Sequence, residues 1–284
     1  MLIFHEFLAG NGRRPSFGNN LFCYFTLQII MKECGHTQVE SIEMLGDNYM
    51  TIQCKEWSNF FEIREKMKNS NIFLQGFFQN SEIIEKFKPF VKSLINGLNN
   101  DRISPLNEKL LKVCNIYNAY RNIEKLDKSC IILHLRLDDF NHNGGQSSEI
   151  IHPSCYFNIL DEIDDKETIV IVTDKPRVDF EFAYIDLFKK KYPNSNILIQ
   201  NEDYLKDFVF LMKATRLIVS NSTFCWLAGF LGDSEESFLI KNTYHQNQNL
   251  LKISDKTKIY PIRYISSDIN LLSNIVIESN SERK

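Results

Sequence analysis

Two short segments carry the residue types best suited to holding a phosphorylated ligand. In the first, His134-Leu135-Arg136-Leu137-Asp138-Asp139 follows the apolar run Ile131-Ile132-Leu133. In the second, Asn221-Ser222-Thr223-Phe224-Cys225-Trp226 follows Leu217-Ile218-Val219-Ser220 and continues into Leu227-Ala228-Gly229-Phe230-Leu231. A guanidinium such as that of Arg136 offers a planar fork of donors matched to phosphate oxygens, and it stays charged. The second segment reads as a strand that ends in hydroxyl residues and opens into a helix. Exposed N–H groups at a helix start, beside Ser and Thr hydroxyls, suit a diphosphate.

Each candidate also has a purely structural reading. Arg136 could form an ion pair with Asp138 or Asp139. His134 lies one pleat from Arg136 and faces the same way, yet a lone strand histidine more often serves as a hydrogen-bonded structural group. Asp139 could orient Arg136 or make a turn. Asp174 ends the run Ile169-Val170-Ile171-Val172-Thr173, where a carboxylate can accept from a ribose hydroxyl or a base N–H, or cap a helix. Gly18-Asn19-Asn20 precedes a helical pattern: Gly18 permits close approach of a ligand and Asn19 supplies donor and acceptor, or the group simply caps the helix. Glu149 ends a polar loop and His152 follows it. Either could take a hydroxyl proton, and either could belong to a solvated loop. No Gly-x-Gly-x-x-Gly, Gly-Lys-Ser/Thr, His-Glu-x-x-His or Asp-x-Asp occurs, so no metal and no cofactor are expected. Arg136 and the helix dipole would then neutralise a diphosphate.

The elements that must position these residues are clearest in the second half. Strands are expected at 130–137, 168–173, 196–200, 216–220 and 237–240, with helices at 153–163, 178–191, 203–214 and 222–231. Such alternation with short loops implies parallel βαβ units, whose ligands bind at the carboxyl ends of the strands. In the first half, a strand at 2–8, a Gly-rich loop at 9–20, a helix at 21–34 ending before Gly35, a helix at 60–67, a strand at 72–74, a helix capped by Ser81 and an amphipathic helix at 106–118 are expected. The charged stretch Lys125–Lys128 suggests a boundary, giving domains 1–127 and 128–284, the latter with a polar tail.

The 284 residues suit one large or two modest domains. A net charge of −3 gives no field favouring nucleic acid. Seven scattered cysteines without a Cys-x-x-Cys pair point to reduced thiols and a cytoplasmic setting. The start of the chain lacks a signal-peptide pattern, and its apolar runs are too short to span a bilayer.

Taken together, the motifs resemble those of GDP-fucose fucosyltransferases. His134-x-Arg136-x-x-Asp139 is similar to the His-x-Arg-Arg-x-Asp motif of the α-1,2 family and, more distantly, to α-1,6 and protein O-fucosyltransferases. Asp207 to Met212 and Ile218 to Trp226 resemble the family's Leu-Met…Ile-x-x-Asn-Ser-Thr-Phe-Ser-Trp-Trp block. Gly18-Asn19-Asn20-Leu21-Phe22 resembles its Gly-Asn-Gln-Met/Leu-Phe, and Gln75-Gly76-Phe77-Phe78-Gln79 its Gly-Tyr-Phe-Gln. Leu137 stands where the motif has a second Arg, and Cys225 and Leu227 stand for Ser and Trp. The resemblance implies an α/β protein of two Rossmann-like domains facing a cleft, the GT-B type. It implies an inverting, metal-independent transfer of L-fucose from GDP-β-L-fucose to a sugar hydroxyl of a glycan acceptor. Arg136 would bind the diphosphate. Gly18 and Asn19 would contact the donor from the first domain, and Asn221, Ser222, Thr223 and Phe224 would cradle phosphate. His134 and Asp139 would position Arg136, and Glu149 would be the base. A GDP-sugar transferase of other linkage or donor, or a non-catalytic sugar-nucleotide or glycan binder, is the alternative.

Overall fold

The structure is a computed structural model, and it describes residues 1–5, 17–39, 42–96, 125–137, 150–177, 179–241 and 252–264. The expected helix at 106–118 lies outside these residues. The described chain falls into two compact units, one running through Asn96 and one from Lys125 onward.

In the second unit the strands are β5 (Cys130–His134), β6 (Thr168–Val172), β7 (Asn196–Gln200), β8 (Arg216–Val219), β9 (Glu236–Lys241) and β10 (Lys256–Pro261). Every pairing is parallel, and the order is β10-β9-β8-β5-β6-β7. The inner strands are near-continuous apolar runs, such as Thr168-Ile169-Val170-Ile171-Val172, because helices cover both faces. The helices are α6 (Pro153–Asp161), α7 (Asp179–Lys191), α8 (Tyr204–Met212) and α9 (Thr223–Gly232). The chain steps outward from β5 to β6 and β7, then returns to place β8 on the other side of β5. That is the doubly wound dinucleotide-binding order, and its switch point falls between β5 and β8.

Pleat parity sorts the sheet's two faces. Ile131, Leu133, Leu135, Leu137, Ile169, Ile171, Ile218, Phe238 and Ile240 join one buried cluster with Tyr156, Ile159, Tyr184 and Phe188 from α6 and α7. The alternate positions face α8 and α9. At the amino ends of the strands, the Arg216 guanidinium bonds Glu236 at 3.2 Å and the carbonyls of Lys128 and Asp165 at 2.6 and 2.7 Å. It ties together the loops on the side opposite the candidate site.

The first unit holds β1 (Leu2–His5), β2 (Thr37–Gln38), β3 (Tyr49–Gln53) and β4 (Asn71–Gln75) in the order β2-β1-β4-β3, again all parallel. Its helices are α1 (Phe17–Cys34), α2 (Cys54–Trp57), α3 (Phe60–Lys68), α4 (Ser81–Lys86) and α5 (Lys88–Asn96). Three expectations need correction. Helix α1 begins at Phe17, so Gly18, Asn19 and Asn20 lie inside its first turn rather than before it. Asn80, not Ser81, caps α4, accepting from the Ile83 N–H at 3.2 Å. The expected single helix from residue 81 is two, divided at Phe87.

Helix α9 packs so closely that side chains are excluded at two points. A Cβ at Gly229 would sit 2.6 Å from Leu217 Cδ2 on β8. One at Gly232 would run into the carbonyl oxygen of Met212 at the end of α8. The obstacle at Gly232 is backbone and cannot rotate away. Gly232→Ala is therefore expected to destabilise the protein by about 1–3 kcal/mol, measured as the shift in urea midpoint at unchanged slope.

Candidate functional site

The switch point brings the two candidate segments together. His134 ends β5 and Ser220 follows the last residue of β8, and the two strands are hydrogen-bonded neighbours. His134 Nδ1 lies 2.7 Å from Ser220 Oγ, with both residues buried. The His134 ring is 6.0 Å from the Phe224 ring, centroid to centroid. Phe224 in turn meets the fully buried Phe208 of α8 edge-to-face at 5.1 Å. His134 and Ser220 are 86 residues apart in the chain, and the two segments are thus one local structure. Arg136, two residues beyond His134, is partly exposed at the same carboxyl end of the sheet.

Local bonding explains the shape of the second segment. Ser222 N–H donates to the Ser220 carbonyl at 2.7 Å, and Ser222 caps α9 in an extended conformation. Its hydroxyl makes no capping hydrogen bond, and no acidic residue stands in the first turn. The positive end of this helix therefore carries no carboxylate of its own. The Cys225 thiol is fully buried, and burial pushes its pKa well above the ordinary thiol value. It is packing material here and not a nucleophile.

His134 is held neutral. Burial first, and then the nearby Arg136 charge, lower its pKa from 6.5 to about 3. A neutral imidazole with Nδ1 bound to a hydroxyl has a fixed ring orientation. The bland reading and the functional one therefore coincide at His134: it is a hydrogen-bonded strand residue, and that bond ties the Arg136 strand to the Asn221–Phe224 turn.

The remaining candidates divide. Asn221, Ser222, Thr223 and Phe224 all lie at the switch point. Asp174 follows β6 in an exposed bend, five residues before α7 begins at Asp179 (179 minus 174), so it is not that helix's cap. Asp139 and Glu149 lie outside the described residues. His152 is the N-cap of α6, with Nδ1 accepting from the Ser154 N–H at 3.1 Å, which commits that nitrogen to the fold. Leu137 is buried in the cluster on the far side of the sheet from His134, so this position feeds the core and faces no ligand at the switch point.

In the first unit, the Gly18-Asn19 and Gln75–Gln79 segments also meet. Gln79 Nε2 donates to Asn19 Oδ1 at 2.7 Å. The turn between β4 and Gln79 has Gly76 at φ +122° and Phe78 at φ +53°. A Cβ on Gly76 would collide with Cys54 Sγ, so glycine is required there. Sequence reasoning did not single out Ser220 or Gln79. Both were quoted inside their segments, but their partners are remote in the chain and only the sheet order brings them near. Among the described residues, no group of three His, Cys, Asp or Glu side chains could hold a metal ion. Among those residues, too, no helix is long and apolar enough to cross a membrane.

No protein-family profile matches the chain. Over 204 residues it is 22% identical to the O-antigen biosynthesis glycosyltransferase WbnK of Escherichia coli, covering 69% of this chain and 62% of that protein. The chain thus spans less than two thirds of that relative's length. A solved structure of an Arabidopsis thaliana FUT1 mutant in complex with GDP superposes with a TM-score of 0.45 at 8% identity, covering 86% of this chain and 71% of that one.

The state of His134 fixes a pH dependence. The unfolded chain binds a proton as pH falls below 6.5, whereas folded His134 does so only near 3. Stability present above pH 6.5 is therefore lost as pH falls toward 3, by at most about 1.4 kcal/mol per pH unit. His5 on β1, lowered by burial to about 3, acts in the same direction. Urea denaturation between pH 7 and 4 is expected to show a shallower loss in His134→Asn than in the wild type. Equal slopes would mean that His134 does not titrate this way.

Proposed function

We propose that the chain is a glycosyltransferase acting on a GDP-activated sugar, with GDP-β-L-fucose as donor and a glycan hydroxyl as acceptor, forming an α-1,2 linkage. One observation carries this reading. The Arg136 strand end and the hydroxyl-rich start of α9 are joined by the His134–Ser220 bond at the switch point of a Rossmann-ordered sheet. Ligands of such sheets sit in that crevice. Similarity to an O-antigen glycosyltransferase supports the reaction class. The choice of fucose, of inversion and of the α-1,2 linkage rests on the sequence motifs.

The chemistry asked of these residues is electrostatic. The acceptor hydroxyl oxygen forms a bond to the anomeric carbon on the face opposite the leaving group. The bond from that carbon to the β-phosphate oxygen breaks, and its electron pair stays on GDP. Charge therefore builds on the β-phosphate, where Arg136 and the N–H groups of Thr223 and Phe224 are proposed to meet it. Donors fixed in advance are effective because they need no reorganisation as the charge develops. Asp174 is proposed to bind the nucleoside, and Asp139 to orient Arg136. The acceptor proton is proposed to pass to Glu149. Gly18 and Asn19 remain the first unit's candidates for donor contact. The lack of an Asp-x-Asp triplet supports transfer without a divalent cation.

Incubation with GDP-fucose, and in parallel GDP-mannose and UDP-sugars, tests the assignment through released nucleotide and labelled glycan. Transfer or hydrolysis with GDP-fucose is expected. Arg136→Ala is expected to lower turnover by about 10²–10³-fold or more with an unchanged melting temperature. Wild-type turnover in that variant would remove Arg136 from the mechanism, and thermal stabilisation by GDP-fucose without any turnover would make the protein a binder.

A further inference from the structure

Lys241 is the last residue of β9, the strand beside β8. In the parallel register Val219, the last residue of β8, lies opposite Leu239, so Lys241 ends β9 two residues past the point where β8 gives way to the helix-opening turn. Parity fixes its face. Phe238 and Ile240 point into the cluster shared with α6 and α7, so Lys241 belongs to the other face, with Leu239. Leu217 on that same face touches α9 at Gly229, and His134 on that same face touches Phe224. The start of α9 is therefore flanked by Arg136, beyond β5, on one side and by Lys241, at the end of β9, on the other. The two strands stand about 10 Å apart, and both side chains are long enough to turn toward the point between them.

The surroundings of the Lys241 ammonium are unusual for a surface lysine. Its backbone is anchored, opposite Pro261 of β10 and accepting from the Ile262 N–H at 3.0 Å. Its side chain is half-buried, and burial alone holds its pKa below the ordinary lysine value, with no carboxylate contributing. Among the described residues it forms no ion pair. A partly desolvated cation near the positive end of a helix is doubly unfavourable unless an anion accompanies it.

We propose that Lys241 is a second cationic ligand of the donor's diphosphate, acting across the start of α9 from Arg136. The inference rests on the assignment of that crevice to a nucleoside diphosphate. It supplies the charge that Leu137, buried in the core, does not.

Calorimetric titration with GDP tests it on the full chain, using wild type, Lys241→Ala, Lys241→Arg and Arg136→Ala. Lys241→Ala is expected to weaken GDP binding about 10- to 100-fold, the range of a charge-assisted hydrogen bond. Lys241→Arg should keep most of the affinity, and Lys241→Ala should have an unliganded melting temperature no lower than that of the wild type, since the ammonium is unfavourable without its anion. The dependence of affinity on salt should be shallower in Lys241→Ala, which a purely structural role would not produce. If Lys241→Ala binds GDP like the wild type while Arg136→Ala loses it, the crevice assignment stands and the role of Lys241 falls. If the wild type itself does not bind GDP, both fall together.

Discussion

The candidate site depends on one buried contact, the 2.7 Å hydrogen bond between His134 Nδ1 and Ser220 Oγ. In a parallel sheet wound outward in two directions, the first strands of the two halves are neighbours at the centre, and the connections leaving them diverge. Past β5 the backbone makes one more bond to β6, Leu135 N–H to the Val172 carbonyl at 2.9 Å. The His134–Ser220 side-chain bond adds a restraint toward β8. Its partners are out of water, so leaving either one unsatisfied costs about 1–3 kcal/mol. That cost holds the imidazole ring, and together with the Leu135 N–H bond to the Val172 carbonyl it restrains the chain just before Arg136. The side-chain bond also holds the residue before the turn that opens α9. Two segments distant in sequence therefore share one rigid reference point.

Much of the second unit was legible because its signals are local. The apolar runs Ile131–Leu133, Ile169–Val172 and Leu217–Val219 are unbroken, as strands covered on both faces must be, and the helices between them have clear starts. The strand order was not legible. The return of β8 to the side of β5 is a property of packing and leaves no mark on the residues near Ser220. The first unit was read less well for physical reasons that can be named. Gly18 is a poor helix former, which moved the expected start of α1 past Asn19. Strand β2 has only the two residues Thr37 and Gln38, too short for any period to show. Strand β3, Tyr49-Met50-Thr51-Ile52-Gln53, is an edge strand with one buried side chain. Strand β10 was missed for a similar reason: Lys256, Lys258 and Pro261 break its apolar pattern, as an edge position allows.

Two departures from the motif pattern have different structural meanings. Cys225 is buried in the first turn of α9, so a thiol in place of a hydroxyl there changes packing. Leu137 is also buried, but its position takes a residue that could have been cationic and gives it to the α6–α7 core. A cation that one strand end does not supply can come from another strand whose end opens on the same face. Of the strands beside the switch point, β9 is the one that ends in a lysine.

The remaining question is how a helix start can stay fixed well enough to act as a preorganised donor. Helix α9 answers it through composition. Its sequence, Thr-Phe-Cys-Trp-Leu-Ala-Gly-Phe-Leu-Gly, has no charged residue, and seven consecutive members from Cys225 to Leu231 are buried. Trp226 stacks on Phe230 at 5.0 Å, and Gly229 and Gly232 let the helix sit against β8 and the end of α8. Such a helix cannot slide or tilt without exposing apolar surface or striking backbone. Its packing thus holds the helix start in place. The first turn holds no acidic residue and the Ser222 side chain makes no capping hydrogen bond, where many helices use a carboxylate or hydroxyl. Stability alone would favour such a cap, worth about 1 kcal/mol. A rigid helix start without one is better suited to an anion brought by a ligand than to closing on itself.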